Sequence, residues 1–347
     1  AGLAMPLVTL LACSGAALDL AAFTGLRASR RLRAAAVGAE RALVAALATL
    51  EQRLRSRLYI CTSSGSDKSF VGRFSPEDEA WEPVPPMTAP RWAPAVASLG
   101  GRLYVCGGFS GEGRSGHRSA ECFDPLSSTW RSLAPMLIPR QNLAAAALGG
   151  KIYACGGNDA ADRALSSAEA FDPATRVWCM LPPMSTPRFA LAAAAVQRRL
   201  HVCGGCDWAG RCLRSAERFE PGAGVWERLP PMAEARSMHA VAGLAGGLYA
   251  CGGVSALGRA LRTAERLAVR AGAWAWEPLP SLSVPRGAPA AATLAGAVYV
   301  CGGRADWPHD GEELALATME RFEPARGAWA PAAPLPGAGS AAAAAKQ

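Results

Sequence analysis

The sequence is poor in histidine and tyrosine, and it lacks long apolar runs. Four histidines and five tyrosines occur in 347 residues, and no two histidines stand at a spacing typical of metal ligands. No eighteen consecutive residues are apolar, so we expect no membrane span. The apolar opening, residues 5–23, contains Asp19 and follows no basic residue, and we therefore do not expect a signal peptide.

Acidic residues are fewer than basic ones, 28 against 36, and the formal net charge is +8. Residues 1–57 hold eight arginines against three acidic residues, and a basic segment of this kind can indicate binding to nucleic acid or to an anionic lipid surface. The whole chain is rich in arginine and alanine, so we interpret this segment as the polar surface of helices. We expect neither a nucleic-acid partner nor a membrane partner.

The eleven cysteines are an odd number, and six of them occupy one position of a repeated strand. A strand repeated around a fold keeps those thiols apart, so we interpret them as small buried side chains in a reducing compartment, cytoplasmic or nuclear. The CGGC sequence at 203–206 has the spacing of redox and zinc sites. Its first cysteine belongs to the repeat and no matching pair lies nearby, so we assign it no such role. The six repeated cysteines are Cys61, Cys106, Cys155, Cys203, Cys251 and Cys301.

One tryptophan recurs at intervals of 48 to 53 residues. Ten residues after each of its first five copies stands an arginine, and fifteen residues after each arginine stands the repeated cysteine. Constant distances of this kind indicate rigid hairpins whose lengths are fixed by strand pairing. The tryptophans are Trp81, Trp130, Trp178, Trp226, Trp276 and Trp329, and the arginines are Arg91, Arg140, Arg188, Arg236 and Arg286.

Each repeat has the pattern of four short strands. A run of small residues is followed by a glycine turn, then by a phrase such as LYVCGG, then by one such as SAECFDP, and last by the tryptophan strand. These phrases resemble kelch repeats over roughly residues 57–347. The resemblance implies an all-β fold, a six-bladed kelch β-propeller of four-stranded antiparallel blades. Helical spacing of leucines predicts a short α-helical N-terminal segment, residues 1–56, before it.

The first repeat is incomplete. Its phrase LYICTSSG, residues 58–65, keeps the strand but lacks the diglycine, and no run of small residues precedes it. The C-terminal alanines, about residues 340–346, match the small-residue strand of the other repeats. We predict that this tail completes blade one and closes the ring, which removes exposed sheet edges.

A glutamate precedes the FDP-type turn in the same five repeats that carry the arginine. Both are absent from the incomplete first repeat, where Gly72 stands in place of the glutamate and Gly339 in place of the arginine. We predict five partly buried Arg–Glu pairs inside the ring, which would give the arginines a structural role. The alternative is a ring of arginines that binds an acidic ligand. The glutamates are Glu121, Glu169, Glu217, Glu265 and Glu320.

The opening MPLVTLLACSGAALDLAAFTGLRASRRLRA, residues 5–34, resembles an F-box in its proline-containing start, its leucines and its basic ending. Leu7 and Val8 stand where an F-box usually has acidic residues after the proline. The resemblance implies a docking site for a Skp1-type adaptor of a cullin-type ubiquitin ligase. The alternative is a helical cap packed against the propeller.

Some kelch propellers are enzymes, among them copper oxidases with tyrosine and histidine ligands. All five tyrosines here belong to the repeated strand phrase, and no serine or cysteine nucleophile signature occurs. We therefore expect a protein that is not an enzyme and needs no cofactor or metal. The alternative of a metal-dependent propeller enzyme would require a metal to be found in the purified protein.

The loops between second and third strands vary most in length and sequence, and they share one face with the connections between repeats. Tryptophan and arginine dominate binding hot spots. The sequence thus predicts a monomeric propeller that binds a protein or peptide, and family resemblance implies use as a ubiquitin-ligase substrate receptor. A cytoskeletal or signalling scaffold is the alternative. The predicted partner-binding rim is Trp92, Phe109, Arg114, Trp208, Arg211, Arg304 and Trp307.

Overall fold

The computed structural model describes residues 57–63, 69–109, 116–305, 316–335 and 341–346. The predicted N-terminal helices, with the F-box-like segment, lie outside these ranges. Within the described ranges, the strands form six four-stranded sheets and one two-stranded pair. No helix in this part of the chain is long and apolar enough to cross a bilayer.

Blades two to six are each built from one stretch of the chain, whereas blade one takes strands from two stretches. Blade one contains β1 (Leu58–Ser63), β2 (Ser69–Ser75) and β3 (Ala80–Val84), and blade two contains β4 (Ala95–Leu99), β5 (Arg102–Cys106), β6 (Ala120–Asp124) and β7 (Thr129–Ser132). Blade three contains β8 (Ala144–Leu148), β9 (Lys151–Cys155), β10 (Ala168–Asp172) and β11 (Val177–Leu181). Blade four contains β12 (Ala192–Val196), β13 (Arg199–Cys203), β14 (Ala216–Glu220) and β15 (Val225–Leu229).

The remaining strands complete the ring. The short β16 (Arg236–Ser237) precedes blade five, which contains β17 (Ala240–Leu244), β18 (Gly247–Cys251), β20 (Ala264–Arg270) and β21 (Ala273–Leu279), with β19 (Val254–Ser255) pairing β16. Blade six contains β22 (Ala290–Leu294), β23 (Ala297–Cys301), β24 (Met319–Glu323) and β25 (Ala328–Ala332), and β26 (Ala341–Lys346) follows it.

The predicted architecture is confirmed: the described chain is an all-β, six-bladed propeller of four-stranded antiparallel blades. Strand β26 pairs with β1, with Tyr59 opposite Ala345 and Cys61 opposite Ala343. It lies beside β4 and β22, the innermost strands of blades two and six. The tail therefore supplies the innermost strand of blade one and joins the two ends of the ring.

The apolar core lies between neighbouring blades. Tyr104 of blade two approaches Phe171 of blade three, with ring centroids 6.4 Å apart, and Phe171 packs on Trp178 at 5.1 Å. The Trp178 indole N–H donates to the carbonyl of Ala134, in the connection from blade two, at 2.8 Å. The outer-strand tryptophans thus contact the preceding blade. Burial raises the pKa of the six repeated cysteine thiols to about 12, as expected for inert core side chains.

The diglycine permits close backbone approach where the second strand ends. In blade three, Gly156 has a φ of 61° and Gly157 a φ of 92°. A Cβ on Gly156 would lie 2.5 Å from the carbonyl oxygen of Arg188, and one on Gly157 would lie 2.5 Å from that of Gln141. The Gly157 N–H also donates to the Arg188 carbonyl at 2.9 Å. A side chain on Gly156 would displace the connection into blade four, and one on Gly157 would displace the connection into blade three.

Candidate functional site

The loop face is the face of the propeller at which the innermost strands begin. In blade two, for example, Ala95 at the start of β4 lies opposite Cys106 at the end of β5. The antiparallel order places the loops between second and third strands on this face, together with the connections from blade to blade. The described parts of those loops are residues 107–109, 116–119, 156–167, 204–215, 252–263, 302–305 and 316–318.

A buried arginine stands in each connection that leads into blades two to six. In blade four, Arg188 Nη2 donates to Glu217 Oε1 at 2.7 Å. Its Nη1 donates to the carbonyl oxygens of Gly204 at 2.9 Å and Ser215 at 3.0 Å, and both charged side chains are buried. The other pairs have the same arrangement: Arg91–Glu121, Arg140–Glu169, Arg236–Glu265 and Arg286–Glu320.

The second carboxylate oxygen of each glutamate holds the connection that enters its blade. Glu217 Oε2 accepts the backbone N–H of Ser185 at 2.7 Å, and the other four glutamates accept equivalent backbone bonds. The pairs are more buried than the sequence suggests, and their backbone bonds were not predicted. Because solvent does not reach these guanidinium groups, the arginines position the backbone of the loop face and present no charge to a ligand.

Three loops of this face contain a tight turn of the same kind. In blade four, Asp207 Oδ1 accepts the N–H of Ala209 at 2.9 Å and that of Arg211 at 3.0 Å, while Oδ2 accepts from Arg211 Nε at 2.9 Å. Burial opposes ionisation of Asp207, but the hydrogen bonds from the Arg211 side chain and from the backbone of Arg211 and Ala209 together outweigh it and lower the pKa of this carboxyl. The aspartate therefore stays charged and fixes the turn. We call residues 159–163, 207–211 and 255–259 the three turns.

The three turns have ordered backbones and exposed tips. Trp208 is 79% exposed and Leu257 is 81% exposed. Arg163 and Arg211 each form an ion pair with the aspartate of their own turn and still expose most of the side chain, while Arg259 takes the same position in the third turn. An apolar side chain beside an arginine on a rigid loop is typical of a protein-binding surface.

Two further residues of the predicted rim lie together in blade two. Trp92 and Phe109 exchange backbone hydrogen bonds of 2.8 and 3.0 Å, and their rings stack with centroids 6.4 Å apart. Both are half-buried. Arg304 exchanges backbone hydrogen bonds with Gly287, each 2.8 Å long, in blade six. The rim residues are therefore distributed among separate blades, with Trp208 and Arg211 sharing a turn.

Sequence reasoning missed Arg163, Leu257 and Arg259. A signal for the arginines was available, because each stands six residues after the second glycine of its diglycine. Arg114 has the same position in blade two, but it lies outside the described residues, as does Trp307. No sequence signal pointed to Leu257, because its exposure depends on the shape of the turn.

At the axis, the loop face opens into a cavity of about 110 Å³. Its wall is mostly alanine, from the first residues of the innermost strands, and Pro94, Leu143, His239 and Pro289 occupy equivalent positions around it. Among the described residues, no three His, Cys, Asp or Glu side chains are grouped so as to hold a metal ion. The side chains that line the cavity are thus mostly small and apolar, and His239 is the one titratable side chain among them.

One histidine of this wall contacts a cysteine. His239 Nε2 lies 3.3 Å from the Sγ atom of Cys203. Burial raises the pKa of Cys203 to about 12, and burial together with nearby Arg236 and Arg188 lowers the pKa of His239. The two groups are therefore a neutral thiol and a neutral imidazole, whereas a catalytic cysteine needs its thiolate.

The profile of the kelch motif matches four segments that together make up more than half of the chain. They are residues 91–137, 139–185, 187–233 and 285–336. The chain belongs to the kelch-repeat family. The matched segments coincide with blades two, three, four and six. Kelch blade five, between them, differs in having Leu267 where β2, β6, β10, β14 and β24 have phenylalanine.

A solved structure with the same fold as this kelch chain is that of YjhT. The two have a TM-score of 0.62 and 14% sequence identity, and the alignment covers 73% of this chain and 86% of that chain. At this level of sequence identity, the comparison shows that the two proteins share a fold and shows nothing about a shared function. No curated protein matches the sequence.

Proposed function

We propose that this kelch propeller is a non-catalytic module that binds a partner protein or peptide on its loop face. Kelch propellers generally serve as scaffolds for protein interaction. The observation that carries the proposal is the exposed indole of Trp208 on a turn whose backbone is fixed by Asp207. A pre-ordered loop loses little conformational entropy when a partner covers it.

The partner should combine an apolar pocket or anchor with acidic groups. Trp208 and Leu257 supply apolar surface, and Arg163, Arg211 and Arg259 supply positive charge beside it. The net charge of the chain, +8, has the same sign. Charge complementarity of this kind favours encounter with an acidic segment and weakens as salt is added.

Replacing the exposed indole tests this proposal. We expect Trp208→Ala to weaken binding of the cognate partner by about 30-fold, the effect of a hot spot worth about 2 kcal/mol. Partners captured by the wild-type chain would be identified by quantitative mass spectrometry. The affinity of each candidate for the purified wild type and variant would then be measured.

The matched control is Leu126→Ala. Leu126 is 96% exposed, but it lies in the turn between β6 and β7, on the opposite face. This variant should bind as the wild type does. Equal loss of binding in both variants, or no loss with Trp208→Ala, would contradict a docking site on the loop face.

The absence of catalysis remains part of the proposal. It is supported by the neutral state of the buried Cys203–His239 pair and by the structural use of the five arginines. The Cys203–His239 pair and the five arginines all make their contacts within the fold. The exposed tips of the three turns present Trp208, Leu257 and neighbouring arginines, which suit recognition.

We further propose that the chain is a substrate receptor for a cullin-type ubiquitin ligase. The support is the F-box resemblance of residues 5–34, together with a propeller that offers a separate binding face. In this arrangement the N-terminal segment binds a Skp1-type adaptor and the loop face binds the substrate.

Adaptor binding by the full chain tests the ligase role separately. A Skp1-type adaptor should co-purify with the wild type and with Trp208→Ala, and it should be lost from Pro6→Ala, which changes the proline of the F-box-like start. Failure of the wild type to retain the adaptor would remove the ligase role. It would leave the binding role of the loop face, which is measured with Leu126→Ala and Trp208→Ala, unaffected.

A further inference from the structure

Two cysteines face each other at the base of the second turn. Cys206 precedes residues 207–211 and Cys212 follows them, and their Sγ atoms are 3.6 Å apart. Cys206 is buried and Cys212 is half-buried. The two sulfurs are therefore in contact, and Cys212 is within reach of a small solute from the loop face.

The backbone around this pair suits a disulfide bond. Cys206 and Cys212 are antiparallel partners. The flanking bonds run from Asp207 N–H to the Arg211 carbonyl at 3.1 Å and from Leu213 N–H to the Gly205 carbonyl at 2.8 Å. This pattern makes the cysteines a non-hydrogen-bonded pair, in which Cα atoms are about 4.5 Å apart. Disulfides span Cα separations of about 4.4–6.8 Å, so side-chain rotation alone can close the bond.

The two thiols are specific to blade four. The same antiparallel bridge occurs in neighbouring blades, where Asn158 pairs with Ala164 and Val254 pairs with Ala260. The bridge itself thus needs no sulfur. Because the fold does not require cysteine at these two positions, we look for a further function of the pair.

The structure also separates this pair from the CGGC spacing seen in the sequence. Cys203 lies against His239 and has an inert thiol, so Cys206 has Cys212 as its partner. The hydrogen bond between the two sulfurs, helped by the Ser237 hydroxyl and opposed by burial and by Asp207, lowers the pKa of Cys212. The same contact, with burial, raises the pKa of Cys206. Because Cys212 is also the more exposed of the two thiols, we assign it the role of nucleophile and Cys206 that of resolving thiol.

We propose that Cys206 and Cys212 form a modification site at which hydrogen peroxide makes a reversible disulfide across the base of the 207–211 turn. The Cys212 thiolate attacks one peroxide oxygen, the O–O bond breaks, and hydroxide leaves and takes up a proton to become water. The Cys212 sulfenic acid is then attacked by the Cys206 sulfur. An S–S bond forms, the S–O bond breaks, and the oxygen leaves as water with the Cys206 proton. Two electrons pass from the sulfurs to peroxide.

The modification would add a covalent constraint to the turn that presents Trp208. In the reduced protein, residues 207–211 are held by the hydrogen bonds of Asp207 and by the bridge. The disulfide adds a covalent closure to the same geometry. The site depends on the two thiols and on their backbone, and it stands whether or not the loop face binds the proposed partner.

Peptide mapping of the peroxide-treated full chain tests the proposal. Trypsin cleavage after Arg199, Arg211 and Arg214 places Cys203 and Cys206 on one peptide and Cys212 on another. Without reductant, we expect the peptide LHVCGGCDWAGR linked to CLR. The link should disappear with dithiothreitol, and the exposed Cys179 should stay outside any intramolecular disulfide.

The matched variant carries both Cys206→Asn and Cys212→Ala, the residues that blade three has at these positions. Its thermal melt should match that of the reduced wild type, and it should yield no linked peptide. Cys212→Ser alone serves as a second variant and should also lack the link. A link between Cys203 and Cys206 in the folded wild type, or unlinked Cys212 after oxidation, would overturn the proposal.

Discussion

At the scale of single residues, the five buried arginines decide the shape of the loop face. Arg188 joins a carboxylate, from Glu217, to two backbone carbonyls, one of which belongs to the diglycine of blade four. Without the guanidinium group, Glu217 would stay buried without its counter-charge, although it would keep the bond from the Ser185 N–H. Removal of one partner therefore reduces the free energy of unfolding by more than the loss of a few hydrogen bonds would.

We expect Arg188→Ala to reduce the free energy of unfolding by about 3–5 kcal/mol, because it leaves a carboxylate buried without its counter-charge. Equilibrium unfolding in urea of the wild type and the variant measures this difference.

Arg163→Ala is the matched control, since Arg163 also binds an aspartate but its side chain is 79% exposed. Solvent screens that pair, so the Arg163→Ala variant should have nearly the same free energy of unfolding as the wild type. A stable Arg188→Ala variant that had lost an acidic ligand would instead favour the ligand-binding alternative for these arginines.

The Arg–Glu pairing could be predicted from sequence because both residues occur in the repeats of blades two to six and are absent from that of blade one. The extent to which the pairs are buried could not be predicted from the sequence. The hydrogen bonds from the Ser185 N–H and its equivalents to the glutamates could not be predicted either. Backbone donors have no signature in the sequence, and their positions depend on how the blades are arranged around the axis.

At the scale of strands and blades, aromatic contacts join each blade to the next. Tyr153 of blade three approaches Phe219 of blade four at 6.3 Å. The junction between blades four and five differs, because His201 replaces the tyrosine and Leu267 replaces the phenylalanine. The Trp274 ring occupies this junction, 5.6 Å from the His201 ring. The Trp274 ring thus fills the space left by the smaller His201 and Leu267 side chains, and the junction stays packed.

The histidine in this junction is neutral. Burial lowers the pKa of His201 to about 4, with Arg218 and Arg199 acting in the same direction and a backbone contact to Arg199 opposing them. The side chain therefore behaves as an uncharged packing group at neutral pH. It packs between blades four and five against the Trp274 ring.

Strand positions could be predicted because the tryptophan, arginine and cysteine recur at constant distances. Loop positions could not, because the second-to-third loops have no common length. The 207–211 turn depends on bonds from backbone N–H groups to Asp207, and the contact of Cys206 with Cys212 depends on the register of the bridge. Spacing along the chain instead drew attention to Cys203 and Cys206.

At the scale of the whole molecule, the ring is held together where its ends meet. Strand β26 adds to β1 in blade one, and the Trp81 indole N–H of blade one lies 3.5 Å from the carbonyl oxygen of Ala333, which follows blade six. Blade one is thus made from two distant parts of the chain.

Removing residues 336–347 should destabilise the ring. The β26–β1 ladder contributes several hydrogen bonds of about 1 kcal/mol each, and about 1 kcal/mol corresponds to roughly 2–4 °C in a domain of up to 250 residues. We therefore expect Tm to fall by roughly 10 °C, as measured by circular dichroism or calorimetry.

A chain that lacks only Gln347 is the control and should melt as the wild type does, because Gln347 lies beyond β26. Addition of a peptide with the sequence of residues 336–347 should restore part of the lost Tm. Unchanged melting after the deletion would contradict a closing role for the tail.

The separation of β1 and β26 has a consequence for biosynthesis. The first residues of these strands are 283 positions apart, which at about 5–20 residues per second is roughly 15–60 s of translation. Throughout that interval, the inner edge of nascent blade one has unpaired backbone groups and can capture strands from other chains. Expression yield should therefore depend on chaperones that shield this edge on the ribosome.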